Sequence, residues 1–161
     1  MDLPGTVTLR PALAHEAPAM ARMSRDLIEA GLGWRYTPSR ITAMMRDPEH
    51  LALVACEADQ VLGFALMQFG DEHAHLALLC VDPVRQRRGI GRRLTEWLVQ
   101  SAEVAGIVTI RLELRADNSG ALAFYQRLGF TEVQRVPGYY EQRIAARRML
   151  LPLRGDDAAA R

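Results

Sequence analysis

The chain has 161 residues, the length of one domain, and 49% of them are hydrophobic, enough to fill a single core. Its formal net charge is +1, so no overall field favours a nucleic acid or an anionic membrane. No apolar run reaches the roughly 18 residues of a membrane span, no signal peptide is expected, and the two cysteines, Cys56 and Cys80, lie in apolar runs that argue against a disulfide framework and for a cytoplasmic protein.

Thr6 to Arg10 alternates as a short strand closed by Pro11. From Ala12 to Gly31, Met20, Met23, Leu27 and Ile28 recur at helical spacing, and Gly31 and Gly33 stop the helix. Thr37-Pro38 reads as an N-cap followed by proline at the first helical position, opening a second helix through Arg46. Between the two helices lies Trp34-Arg35-Tyr36, either a substrate-facing lip or aromatics packed on the domain edge. Leu51 to Glu57, Val61 to Phe69 and His73 to Val81 are three strands joined by short turns, an antiparallel meander. His73 and His75 share a face; without a third ligand nearby they read as solvated strand-end side chains, and no metal is expected.

Next comes Val81-Asp82-Pro83, then Gln86-Arg87-Arg88-Gly89-Ile90-Gly91-Arg92, then an amphipathic helix with Leu94, Trp97, Leu98, Ser101 and Ala102 on one face. Gly89 and Gly91 leave backbone N–H groups uncovered where the helix begins, and such groups favour a phosphate. The chain contains no lysine, so a Walker loop is excluded; a dinucleotide fingerprint lacks its third glycine. After Gly106, Val108 to Leu114 is a strand. Its Val108, Ile110, Leu112 and Leu114 point one way, and Thr109, Arg111 and Glu113 the other. Asn118 to Leu128 is a short helix capped by Gly129, and Phe130 begins another strand. Pro137-Gly138-Tyr139-Tyr140 is expected as a loop before a last strand through Met149 and Leu151. The domain is expected to span 1–153, with 154–161 a disordered tail.

The loop Gln86-x-x-Gly89-x-Gly91, directly after a Val-x-Pro strand end, resembles the acetyl-CoA pyrophosphate loop of the GNAT family of N-acetyltransferases. A second stretch is similar too: Leu112-Glu113-Leu114-Arg115-x-x-Asn118-x-x-Ala121-x-x-x-Tyr125-x-x-x-Gly129-Phe130. With Arg135-x-x-x-Tyr139-Tyr140 and the ending Met149-Leu-Leu-Pro152, it resembles the RimI-like bacterial branch, which acetylates the N-terminal amine of a ribosomal protein. The resemblance implies an α/β (α+β) fold: a mixed, mostly antiparallel sheet of about seven strands flanked by about four helices, splayed between strands four and five. It also implies acetyl-CoA as cosubstrate. Gln86, Arg87, Arg88, Gly89, Ile90, Gly91 and Arg92 would grip the pyrophosphate, and the backbone of Leu79, Cys80 and Val81 would pair with pantetheine. Cys80 or Val81 N–H would polarise the thioester carbonyl. Asn118 would be a cofactor ligand, Glu113 the general base and Tyr125, also at the cofactor, the general acid. Trp34, Tyr36, Tyr139 and Tyr140 would border the acceptor. The loop from Gly33 to Pro38 departs from the Phe-Pro-Trp-Ser-like loop of that branch, at a place that helps choose the acceptor.

The chemistry gives independent reasons. An α-amine titrates near 8 and a lysine amine near 10.4, so its proton costs roughly 3.4 kcal/mol less to remove at neutral pH. One carboxylate is then a more adequate base. Partial burial is expected to raise the Glu113 pKa toward that task; the alternative pairs Glu113 with Arg111 or Arg115 on a solvated face. A phenol such as Tyr125 can protonate a departing thiolate, or simply fill the core. Cys80, between apolar residues, is not expected to act as a nucleophile, which leaves direct attack in a ternary complex. The expected acceptor is a protein or peptide N-terminus. A small amine is the alternative within this fold, and a non-catalytic acyl-CoA sensor the alternative outside catalysis. No nucleic acid or membrane partner is expected, and the chain is taken as a monomer or homodimer.

Overall fold

The computed structural model describes residues 5–153; the tail expected at 154–161 lies outside them. The strands form a seven-stranded sheet in the order β1-β2-β3-β4-β5-β7-β6. They are β1 (Thr8–Pro11), β2 (His50–Glu57), β3 (Gln60–Phe69), β4 (His73–Val81), β5 (Thr109–Arg115), β6 (Thr131–Tyr140) and β7 (Ile144–Pro152). The helices are α1 (Ala17–Met23), α2 (Pro38–Arg46), α3 (Ile90–Val104) and α4 (Ser119–Arg127). The described residues fall into two compact units. The first comprises the chain up to Gln68 together with Ala77–Leu98, the second Phe69–Leu76 and the chain from Val99.

In the first unit, β1, β2 and β3 pair antiparallel, as the short turns between β2, β3 and β4 require. β3 is buried almost throughout, Leu62 to Met67, which is why its sequence reads as a continuous apolar run rather than an alternation. One face of these strands, with Val54, Cys56, Phe64 and Leu66, together with Leu78 of β4, packs against Ala17, Met20 and Ala21 of α1 and Ile41 of α2. Each large aliphatic side chain so buried contributes about 1.5–3 kcal/mol. Thr37 caps α2 by accepting the Arg40 N–H at 3.3 Å, with Pro38 next, as the sequence indicates.

The first helix differs from expectation. Its start is a 3-10 turn at Ala14–Glu16 and its end a π turn at Ser24–Ile28, closed by the Glu29 N–H on the Ser24 carbonyl at 2.8 Å. The cause is Glu29. Its carboxylate is buried and accepts the Ser24 hydroxyl (2.8 Å) and the N–H groups of Arg35 (2.7 Å) and Tyr36 (3.2 Å), so the last turn widens to bring it there.

In the second unit, β4 runs parallel to β5, His73–His75 pairing with Thr109–Arg111. β5 pairs antiparallel with β7, and β7 with β6. Ile110, Leu112 and Leu114 are buried on one face of β5, opposite Arg111 and Glu113. Pro137 to Tyr140 is not the expected loop. It is the bulged end of β6, and the chain turns instead at Glu141 and Gln142, both at positive φ.

Candidate active site

In the first unit the apolar end of β4 delivers the chain to the glycine loop. Gly63 of β3 makes this approach close, since a Cβ there would lie 2.9 Å from the Cys80 carbonyl oxygen and 3.2 Å from Val81. The Asp82 N–H bonds the Leu62 carbonyl at 2.7 Å; by strand alternation the Val81 N–H then points away from β3 and the Cys80 N–H toward it. Asp82 caps a 3-10 turn at Pro83–Arg85 through the Val84 N–H (3.0 Å), and the Gln86 side chain folds back to donate to the Val81 carbonyl (3.1 Å). Arg87 and Gly89 both stand at positive φ, 68° and 77°, so the backbone here is curled into a concave run of amides.

Arg93 bonds back to the Gly89 carbonyl at 2.9 Å as α3 begins. Among the described residues, the amides from Gly89 to Arg92 ahead of it have no backbone acceptor. Thr95 fixes the first turn by donating to the Gly91 carbonyl at 2.8 Å. The five arginines here are not equivalent. Arg85 pairs with Glu57 (2.9 Å), Arg92 with Glu96 (2.9 Å), and Arg93 reaches the Val7 carbonyl (3.4 Å). Arg87 and Arg88 have no protein partner among the described residues, leaving two cationic groups and a row of amides, a donor set suited to a pyrophosphate. Cys80 packs partly buried against the core of this unit, and burial pushes its thiol well above the ordinary range, as an inert cysteine requires.

Also in the first unit, Trp34 and Tyr36 are held by their neighbours. The Trp34 indole donates to the Ala21 carbonyl (3.2 Å) and carries the Arg25 guanidinium 5.1 Å above its ring; Arg40 stacks 4.4 Å from Tyr36. Glu29 fixes the backbone between them.

In the second unit, Glu113 lies mid-strand with its side chain 5% exposed. Its Oε2 meets His75 Nε2 of β4 at 2.7 Å; its Oε1 accepts Arg148 Nε of β7 at 3.2 Å and lies 3.3 Å from Arg111 Nε. The register makes this cluster, since Glu113 pairs with Arg148 across β5 and β7, and Arg111 with His75 across β4 and β5. Burial does push the Glu113 carboxyl up, as the sequence suggests. The His75 hydrogen bond, the charges of His75 and Arg111, and the Arg148 hydrogen bond outweigh it, and the net shift is downward, opposite to expectation. His75 is accordingly not a solvated strand-end histidine. His75 and Arg148 are the residues that sequence reasoning missed. Only the pairing of β4 and β7 with β5 reveals them, and no local pattern carries it.

Asn118 caps α4 by accepting the Ala121 N–H at 3.0 Å, and its side-chain amide N–H groups remain as donors. Tyr125 is buried on that helix, its ring edge-on to Phe124 (5.1 Å) and Phe130 (5.4 Å). Tyr139 and Tyr140 stand edge-on to each other at 4.8 Å at the end of β6.

A model described as the Acetyltransferase (GNAT) family matches residues 19–130. The chain belongs to this family. A GNAT relative, the [ribosomal protein bS18]-alanine N-acetyltransferase of Salmonella typhimurium, is 42% identical over 91 residues, 56% of this chain and 62% of that protein. The aligned part thus spans less than two thirds of that relative's length. The crystal structure of the ribosomal-protein-S18-alanine N-acetyltransferase from Escherichia coli superposes with a TM-score of 0.79 at 28% identity, covering 92% of this chain and 94% of that one. Arabidopsis thaliana NAA60 in complex with acetyl-CoA has a TM-score of 0.81 at 18% identity, covering 93% and 100%, and shares the fold. Among the described residues, no helix is long and apolar enough to cross a membrane.

Proposed function

We propose that this protein transfers the acetyl group of acetyl-CoA to the α-amine of a protein or peptide N-terminus, by direct attack while both substrates are bound. The observation that carries the acceptor class is the Glu113 carboxylate, nearly buried in mid-β5 among an imidazole and two guanidinium groups. A carboxylate stabilised in this way is a weak base. Drawing a proton from a lysine amine would cost roughly 3.4 kcal/mol more than from an α-amine, so the weak base suits the α-amine. The relatives' named acceptor, an alanine of a ribosomal protein, supports the same reading.

The amides of Gly89 to Arg92 with Arg87, Arg88 and the Gln86-locked loop hold the pyrophosphate, and the backbone of Leu79 and Val81, which flank Cys80 and point away from β3, pairs with pantetheine, Val81 N–H toward the carbonyl. Asn118 donates through its side-chain amide. The thioester supplies the activated acyl carbon. Glu113 provides the negative charge that draws the amine proton away, and Tyr125, a phenol with ordinary pKa about 10, protonates the thiolate, about 8.5. Trp34, Tyr36, Tyr139 and Tyr140 border the acceptor.

The test is acetyl transfer, read by mass, to a pooled panel of N-terminal peptides, lysine peptides and small free amines, with wild type and Glu113→Gln. Peptide α-amines should be acetylated by wild type and about 100-fold more slowly by the variant. Acetylation of small amines alone would reject the N-terminal acceptor. Acetyl-CoA binding with no transfer to any amine would leave an acyl-CoA sensor as the better reading.

A further inference from the structure

The two oxygens of Glu113 are divided between partners. Oε1 is taken by Arg148 (3.2 Å) and Arg111 (3.3 Å), while Oε2 meets His75 Nε2 at 2.7 Å. The carboxylate is therefore enclosed, with its side chain only 5% exposed, whereas the His75 side chain is 31% exposed. An incoming amine, or a water carrying its proton, reaches the imidazole more readily than the carboxylate. Glu113, held ionised, is acceptor-only, so the hydrogen bond places the proton on Nε2 and leaves the lone pair on Nδ1. Among the described residues Nδ1 has no protein partner.

We propose that His75 Nδ1 receives the proton of the acceptor ammonium, directly or through one water, with Glu113 as the counter-charge that orients the ring and stabilises the imidazolium. This rests on the transferase reading above and names the group within it that accepts the proton. The charged groups facing His75 are Glu113 and Arg111 of β5 and Arg148 of β7, with His73 on its own strand. The ammonium loses two protons overall. One passes to His75 and from there to solvent, which frees the nitrogen lone pair. That lone pair forms the new N–C bond as the C–S bond breaks and the electron pair leaves on sulfur. The second nitrogen proton leaves to solvent as the amide forms, Tyr125 protonates the thiolate and regains its proton from solvent, and amide, thiol and one released proton account for every atom.

The experiment measures kcat/KM for an N-terminal peptide from pH 5 to 9 in wild type, His75→Gln and Glu113→Gln, with acetyl-CoA affinity by calorimetry. The substrate amine alone gives a slope of about one in log(kcat/KM) below roughly pH 8. A histidine acceptor adds a second proton dependence, so the wild-type slope should steepen from about one toward about two at the acid end of the range. His75→Gln should remove that steepening and lower the neutral rate on the order of 100-fold. Glu113→Gln should also lower the neutral rate, because the imidazolium has lost its counter-charge. Acetyl-CoA affinity should stay within about twofold of wild type in both variants, as expected for groups acting on the acceptor proton. Nitrogen chemical shifts of the His75 ring should report the Nε2–H tautomer near pH 8. A His75→Gln enzyme with the wild-type rate, a steepened profile that survives the substitution, or an Nδ1–H tautomer would each overturn the proposal and leave the transferase reading standing. Absence of transfer by wild type itself would overturn both.

Discussion

Replacing Arg10 by methionine should expose how much one polar cluster holds the first unit together. Glu16 is 3% exposed, and Arg10 grips both of its oxygens at 2.8 Å; the Leu13 N–H (2.7 Å) and the Cys56 thiol (3.7 Å) complete the shell. Removing one member of a buried pair costs about 3–5 kcal/mol, because the remaining charge stays buried without compensation. The Arg10 side chain is 30% exposed, so solvent screens part of this, and about 2–3 kcal/mol is expected. At 161 residues that lowers Tm by roughly 5–10 °C. The sign of the pH dependence follows from Glu16. The Arg10 hydrogen bond is the largest influence on its carboxyl and holds it below the ordinary range, against the opposing effect of burial. A depressed folded value stabilises above the unfolded value, about 4.3, and that stability is lost as pH falls through the folded value. Urea unfolding of wild type and Arg10→Met at pH 7 and at lower pH should therefore show a gap that is full at neutrality and closes below about pH 4. A gap under about 1 kcal/mol at pH 7, or one that does not change with pH, would refute this account of the cluster.

Gly63→Ala should destabilise by about 1–3 kcal/mol and weaken acetyl-CoA binding, since the added methyl meets the Cys80 carbonyl and Val81; calorimetric titration and urea melts check both. Cys80 should resist a thiol-reactive disulfide at pH 8 in the folded protein and react once unfolded, because burial raises its thiol; fast labelling of native Cys80 would contradict that placement. Tyr125→Phe keeps the ring contacts with Phe124 and Phe130, so turnover should fall on the order of 100-fold while acetyl-CoA affinity holds; unchanged turnover removes the hydroxyl from the reaction.

The elements whose signals are local could be read from the chain directly. Thr37-Pro38 and the alternation through Leu114 specify their cap and strand because a neighbour three residues away, or the pleat itself, carries the information. Pro137 to Tyr140 reads as a loop for the same local reason, yet it is strand. Val136 pairs with Ala146 and Tyr140 with Ile144. The proline is accommodated because β6 is the outermost strand, where a missing N–H breaks no ladder on one side. Glu29 was invisible as a clamp, since its partners in the loop are backbone amides and carry no residue type. The Glu113 cluster shows the same limit in its chemistry. Alternation correctly places Glu113 opposite the apolar stripe, and burial alone then argues for a raised pKa. The sign reverses because β4 and β7 bring His75 and Arg148 to the two carboxylate oxygens, from positions 38 and 35 residues away in sequence. The groups that decide the Glu113 titration stand on the neighbouring strands, and in the mechanism proposed above they pass the role of accessible proton acceptor from the carboxylate to the imidazole beside it.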